Sequence, residues 1–229
     1  MDSLDQLMKA QPPTALRPLL GQTILAVEDS RFACEAVRLL CLKSGARIRR
    51  ADSLTSARRH LGVYRPSVLL VDMGLPDGSG RDLIFEIART SPRPVILATS
   101  GDDAARDAAL NAGAEGFLPK PITSIASFQA EILKHLPPDR QPKGPRPLTS
   151  EVVAPDEIAY QDDLAHAQEA LAAGEAEYGA QFTASLARCG GDEALLRQAE
   201  KLRWSPESDE ELGTLVTMLG ERLGERMAV

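Results

Sequence analysis

Cysteine is scarce in this chain of 229 residues: there are three, Cys34, Cys41 and Cys189. Cys34 and Cys41 fall on one predicted helix, and no Cys-x-x-Cys or Cys/His pair accompanies them. That excludes a disulfide scaffold and a zinc site of ordinary spacing, and reads as reduced, mostly buried thiols of a cytoplasmic protein. Histidine is equally sparse. His60, His135 and His166 are scattered, and each reads as an incidental surface or helix-end residue. Aromatic residues make up 4% of the chain against 43% hydrophobic residues, so the core must come from Leu, Val, Ile and Ala. That suits helix-rich or α/β packing better than a sandwich. No apolar run approaches the ~20 residues needed to cross a bilayer, so no membrane role is expected. The opening residues pair Leu4, Leu7 and Met8 with Asp2 and Asp5, which does not read as a signal peptide.

The charge that is present is unevenly placed. Residues 1–150 hold 20 Lys and Arg against 16 Asp and Glu, whereas residues 151–229 hold 6 against 17. The length is comfortable for two domains, and the charge divides it into two electrically different halves.

Residues 1–22, with Pro12, Pro13 and Pro18, read as a leader. From Thr23 a regular alternation begins. Short runs at Ile24–Val27, Ala46–Ala51, Val68–Val71, Pro94–Ala98 and Gly116–Leu118 predict five strands. Helical patterns lie between and after them: Phe32 to Cys41, Leu54–Leu61, Gly80 to Arg89, Asp102–Ala112 and Ile122–Leu136. Five strands alternating with five helices predict an α/β fold, a doubly wound parallel sheet covered on both faces. Residues 137–150 open with five prolines in eleven positions and read as an extended, semi-stiff linker. Residues 151–229 read as a small acidic all-α domain of about four helices, punctuated by Gly174, Gly190-Gly191 and Pro206. Tyr178, Phe182 and Leu186 share one helix face there, and Leu212, Leu215, Val216, Leu219, Leu223 and Met227 form the cleanest apolar stripe.

In open parallel sheets, chemistry gathers at the carboxyl ends of the strands. The first strand ends at Glu28-Asp29, the third at Asp72, the fourth at Thr99-Ser100, and the fifth just before Lys120. Three carboxylates in one crevice repel one another unless a cation holds them, and a hard divalent ion such as Mg²⁺ fits oxygen ligands. A carboxylate on the middle strand can attack a phosphoryl group, while a lysine and a hydroxyl neutralise the oxygens. Each residue also has an ordinary structural explanation, as a helix cap, a surface lysine or core. It is the ordered combination at four strand ends that is specific.

These residues carry a resemblance. The segments Ile-Leu-Ala-Val-Glu28-Asp29-Ser, Leu-Leu-Val-Asp72-Met-Gly-Leu-Pro-Asp-Gly78, Val-Ile-Leu-Ala-Thr99-Ser and Gly113-Ala-Glu-Gly-Phe117-Leu-Pro-Lys120-Pro121 resemble the receiver domain of two-component response regulators. The resemblance covers residues 23–136 and implies a flavodoxin-like (βα)5 fold. It implies Asp72 as phosphoacceptor and Mg²⁺ held by Asp29, Glu28, Asp72 and the backbone carbonyl of Gly74. It implies Lys120 on the phosphoryl oxygens, and Thr99 and Phe117 as a switch pair in which Phe117 turns inward. A cis Lys120-Pro121 bond is also expected, and a sensor histidine kinase or phosphotransfer protein as donor. The chain is then a signalling protein rather than an enzyme, with only Mg-dependent self-phosphorylation and autodephosphorylation. A haloacid-dehalogenase-like phosphatase would need a second acid two residues after Asp72, and Gly74 stands there. Gly74 and Gly101 also offer no side chain to shield an acyl phosphate, so free access of water and an aspartyl phosphate of no exceptional lifetime are expected.

The acidic C-terminal half points to an unknown protein target. Its charge repels a polyanion, so DNA is not expected as a direct partner. The stripe completes a core, or docks on a partner or on a second copy in a homodimer. His166 lacks the residues that usually follow a phosphotransfer histidine. A phospho-switched interaction protein is the leading reading, with a transcriptional regulator and a phosphorelay intermediate as alternatives. A variant of the first has the mildly basic amino half and the acidic carboxy half associate within one chain.

Overall fold

The computed structural model describes residues 12–147 and 149–224. The predicted Leu4–Met8 segment and Met227 lie outside the described residues. Five strands, β1 (Thr23–Val27), β2 (Arg47–Ala51), β3 (Val68–Asp72), β4 (Val95–Ser100) and β5 (Gly116–Pro119), form one sheet. All its pairings are parallel, and the order is β2-β1-β3-β4-β5. This is the expected flavodoxin-like order, whose crevice opens beside β1 and β3.

Parallel neighbours need crossovers, and α1 (Arg31–Ser44), α2 (Leu54–Val63), α3 (Gly80–Ala88) and α4 (Ala105–Ala112) make them, with α5 (Ile125–His135) after β5. Strand side chains alternate between faces. Ile24, Ala26, Val68, Leu70 and Leu97 pack with Leu40 of α1 and with Phe128 and Ile132 of α5. Leu25, Val27, Leu69, Val71 and Ile96 pack with Leu54, Leu83, Ile84 and Ala109 on the other face. Each fully buried Leu or Ile stabilises the fold by about 1.5–3 kcal/mol.

Polar residues set the helix ends. Ser30, Ser53, Ser79 and Ser124 each accept a backbone N–H at the start of a helix. Gly113 closes α4 in the left-handed conformation, at φ 113°. Two predicted starts move for the same reason. Asp102 spends its carboxylate on the N–H of Ala104, so α4 begins at Ala105. Ser124 caps α5, which therefore begins at Ile125 rather than Ile122.

Beyond the sheet lie α6 (Glu157–Ala172), α7 (Ala176–Gly190), α8 (Glu193–Trp204) and α9 (Asp209–Gly224). They share a core of Leu164, Phe182, Leu186, Leu195, Leu202, Leu215 and Leu219. The apolar stripe of the last helix thus faces inward, with Leu212, Val216 and Leu223 partly buried against that core.

The proline-rich stretch does not span a gap. Arg146 donates to Gln129 of α5 at 2.6 Å, Gln141 donates to the carbonyl of Leu136, and Val153 is buried among the sheet residues. The acidic half is docked. Asp163 of α6 accepts the Ser30 hydroxyl at 2.7 Å and the N–H groups of Arg31 and Phe32 at 2.9 and 3.0 Å. A carboxylate from one half therefore caps α1 of the other, where the positive end of the helix dipole favours it.

Candidate functional site

The sheet delivers the predicted residues to one edge. β1 runs out at Val27, so Glu28 and Asp29 follow at its carboxyl end, and Asp72 closes β3. One oxygen each from Glu28, Asp29 and Asp72 can be chosen so that all lie within 4.8 Å of one another. In-register pairing of β3 with β4 sets Thr99 beside Asp72. Lys120, one residue past β5, places its ammonium 2.7 Å from Glu28 Oε2 and 2.7 Å from Asp72 Oδ2. All three of these side chains are buried. The backbone of Asp72 is held closely too. A Cβ on Gly80 would meet its carbonyl oxygen at 1.9 Å, so only glycine allows α3 to start there.

The electrostatics follow from burial. Glu28 is pushed well above the ordinary carboxyl range by desolvation, with Lys120 opposing and Asp72 and Asp29 adding to the rise. Asp29 is pushed up to about 6, first by desolvation and then by the Asp72 charge, against Lys120 and the hydroxyl of Tyr178. Desolvation alone would lower Lys120, but Asp72 and Glu28 outweigh it and hold the ammonium well above its ordinary range. Three carboxylates beside one ammonium leave an excess of negative charge away from water, and hard oxygen donors in that number suit a hard divalent cation. The residues present fit such an ion. Thr99 Oγ1 is buried and has no hydrogen-bond partner in the structure. A buried hydroxyl without a partner costs about 1–3 kcal/mol, and an anionic oxygen at the site would relieve it.

The other expected positions are also located. Gly74 and Asp72 both line a cavity of about 140 Å³. Phe117 is buried in the sheet core beneath the guanidinium of Arg106, already turned inward. The Lys120-Pro121 bond is cis. His166 is exposed, with Nε2 3.1 Å from the Tyr178 hydroxyl.

One expectation is corrected. Gly74 and Gly101 do have side chains standing beside them, although both still line the cavity. A Cβ on Gly74 would lie 1.6 Å from the Gln181 amide nitrogen, and one on Gly101 would lie 2.4 Å from Arg188 Nη1. Side chains of α7 fill both positions. Tyr178 of the same helix donates to Asp29 Oδ2 at 2.8 Å, and Ser185 Oγ lies 3.5 Å from the Lys120 ammonium. Sequence reasoning missed these four residues. The usable signal was their spacing: positions 178, 181, 185 and 188 fall on one helix face.

Residues 24–131 match the family profile of the response regulator receiver domain. The KDP operon transcriptional regulatory protein KdpE of Escherichia coli (strain K12) is 31% identical over 126 residues, 55% of this chain and 56% of that protein. The probable transcriptional regulatory protein TcrX of Mycobacterium tuberculosis (strain ATCC 25618 / H37Rv) is 31% identical over 103 residues, 44% of each chain. The chain therefore spans about half the length of the curated relatives it matches. Among solved structures, a Burkholderia pseudomallei response regulator with a phosphorylated aspartic acid, calcium ion and citrate is 27% identical, with a TM-score of 0.44. That match covers 48% of this chain and 66% of the other. A CheY-like receiver domain from Methylobacillus flagellatus is also 27% identical, with a TM-score of 0.44 over 48% of this chain and 93% of the other. The relatives' names as transcriptional regulators run against the expectation that DNA is not a direct partner. Profile, relatives and strand order converge on one statement: the chain carries a response regulator receiver domain, at residues 24–131.

Proposed function

We propose that the protein is a bacterial, cytoplasmic two-component response regulator in which Asp72 accepts a phosphoryl group from a histidine kinase or phosphotransfer protein. The observation that carries this reading is the buried ammonium of Lys120, bonded at once to Glu28 and Asp72 beside Asp29. Residues 23–136 receive the signal, 137–150 connect, and 151–229 pass it on.

The geometry supports a specific division of labour. Lys120 engages Asp72 Oδ2, which leaves Oδ1 with a long contact from the Gly74 N–H at 3.4 Å. Oδ1 is then the nucleophile. It attacks phosphorus, the P–N bond of the donor phosphohistidine breaks, and the departing imidazole nitrogen takes a proton from solvent. Lys120 and the Thr99 hydroxyl bind the transferred oxygens, which gives Thr99 the partner it otherwise lacks. Glu28, Asp29, Asp72 and the Gly74 carbonyl would hold Mg²⁺, which when bound offsets negative charge on the phosphoryl oxygens. Thr99 and Phe117 relay the change to the outer face.

The output we propose is a phosphorylation-switched protein–protein interaction through the C-terminal helices, supported by their acidic balance. DNA binding is the second reading, favoured by the names of the relatives. Radiolabel transfer from a phosphorylated histidine kinase domain tests the first claim. Label should appear on the wild-type protein with Mg²⁺, and not on Asp72→Asn or with chelator. Equal labelling of Asp72→Asn overturns it. Binding of the phosphorylated protein to random DNA, with affinity falling steeply as salt rises, would favour the second reading of the output.

A further inference from the structure

The two glycines beside the candidate phosphoryl site are filled from elsewhere in the chain. Positions 181, 185 and 188 of α7 put an amide, a hydroxyl and a guanidinium on one helix face, each against a different strand end. Gln181 lies on Gly74, whose N–H reaches Asp72 Oδ1. Ser185 lies on Lys120, which holds Asp72 Oδ2. Arg188 lies on Gly101, two residues past Thr99. The adjoining face of the helix carries Phe182 and Leu186 into the core of the helical half. Ser185 and Arg188 are half-buried there, and Gln181 is exposed. With Asp72 and Ser100 they line the cavity of about 140 Å³ at the strand ends. A single water needs only roughly 10–15 Å³ of such space, so a four-atom phosphoryl group has room.

The charges fit an incoming anion. Arg188 and Arg203 both line this cavity, and they share one carboxylate, Glu200, at 3.0 and 3.3 Å. Two guanidinium groups share this one carboxylate, so it does not neutralise both, in a cavity that Asp102 also lines. A guanidinium offers several N–H donors in a fixed plane, which matches the oxygens of a phosphoryl group.

We infer that α7 is part of the phosphoryl-binding site: Arg188, with Gln181 and Ser185, binds the oxygens of the group carried on Asp72. This rests on the reading of Asp72 as phosphoacceptor. It reverses the usual picture of an output segment released by phosphorylation, because the modified aspartate holds the helical half more tightly. The C-terminal half then reads the state of Asp72 by direct contact.

The test uses the full chain, Mg²⁺ and beryllofluoride, which forms a phosphoryl-like adduct on an aspartate. Affinity is measured by titration, and backbone protection of residues 176–190 by hydrogen exchange. Arg188→Ala should weaken adduct formation at least tenfold, about 1.4 kcal/mol, and Arg188→Lys should restore part of it. Gln181→Ala should weaken it about threefold, within the range of a lost neutral hydrogen bond. Adduct formation should slow exchange in α7. Unchanged exchange at the buried amides of Leu164 and Leu195 in each variant shows that the helical core is intact. If wild type binds through Asp72 but both alanine variants bind as tightly, or α7 exchanges faster in the adduct, the inference fails while the receiver reading stands. If Asp72→Asn binds beryllofluoride as well as wild type, both fail.

Discussion

At the scale of single residues, the site is a charge problem whose solution is visible in Lys120. Its ammonium touches two buried carboxylates, and the third, Asp29, is left to a tyrosine hydroxyl. The consequence is a pH dependence with a definite sign. Asp29 is raised to about 6 from an ordinary value of 3.8, mainly by desolvation and then by the charge of Asp72. A carboxyl with a higher pKa folded than unfolded binds its proton more tightly in the native state. Its ionisation therefore opposes folding above pH 6, and that penalty fades as the pH falls below 6. Glu28 is shifted in the same direction. In chelator, the melting temperature should rise as the buffer is taken from about pH 7.5 to about pH 5.5. Added Mg²⁺ should raise it most at the upper end, where the carboxylates are ionised. A melting temperature that falls steadily over this range contradicts the assignment of a crowded acidic cluster.

At the scale of elements, the junction between the halves includes a cap. Asp163 takes three hydrogen bonds at the start of α1, and burial raises its carboxyl above the ordinary range despite them. Its neighbour Asp162 makes an exposed ion pair with Arg31 at 2.6 Å. Removing Asp163 strands partly buried donors, whereas an exposed pair contributes about 0–1 kcal/mol. Asp163→Ala should lower the unfolding free energy by about 2 kcal/mol, and Asp162→Ala by less than about 1 kcal/mol, in parallel denaturant titrations. Equal effects would show that the cap is not what joins the halves.

Legibility differed between elements for physical reasons. The strands of the sheet are short and bounded by turn residues, and all but the arginine-bearing β2 are apolar, so their number and order of appearance could be read directly. The acids and the lysine could be read because strand ends converge in this topology. Tyr178, Gln181, Ser185 and Arg188 could not, because a polar helix face looks alike whether it meets water or a polar pocket. Tyr178 was read as apolar with Phe182 and Leu186, yet its hydroxyl bonds Asp29. Helix starts were misplaced at Asp102 and Ile122, where a local side-chain hydrogen bond outranked the apolar pattern.

At the scale of the whole molecule, the opposed charge of the two halves is expressed as contact. The acidic helices pack on the start of α1 through Asp163, and α7 roofs the pocket. Among the described residues no helix is long and apolar enough to cross a membrane. Composition gave the two halves their signs and suggested that they associate, but not which residues join them.

The central claim is chemical and local, that Asp72 becomes an acyl phosphate. Borohydride reduction of the phosphorylated protein, followed by peptide mass mapping, tests it most directly, since reduction converts an aspartyl phosphate to homoserine. The account predicts homoserine at position 72 and at no other position. Homoserine at Asp29, or label retained as phosphohistidine at His166 with Asp72 unmodified, would contradict it.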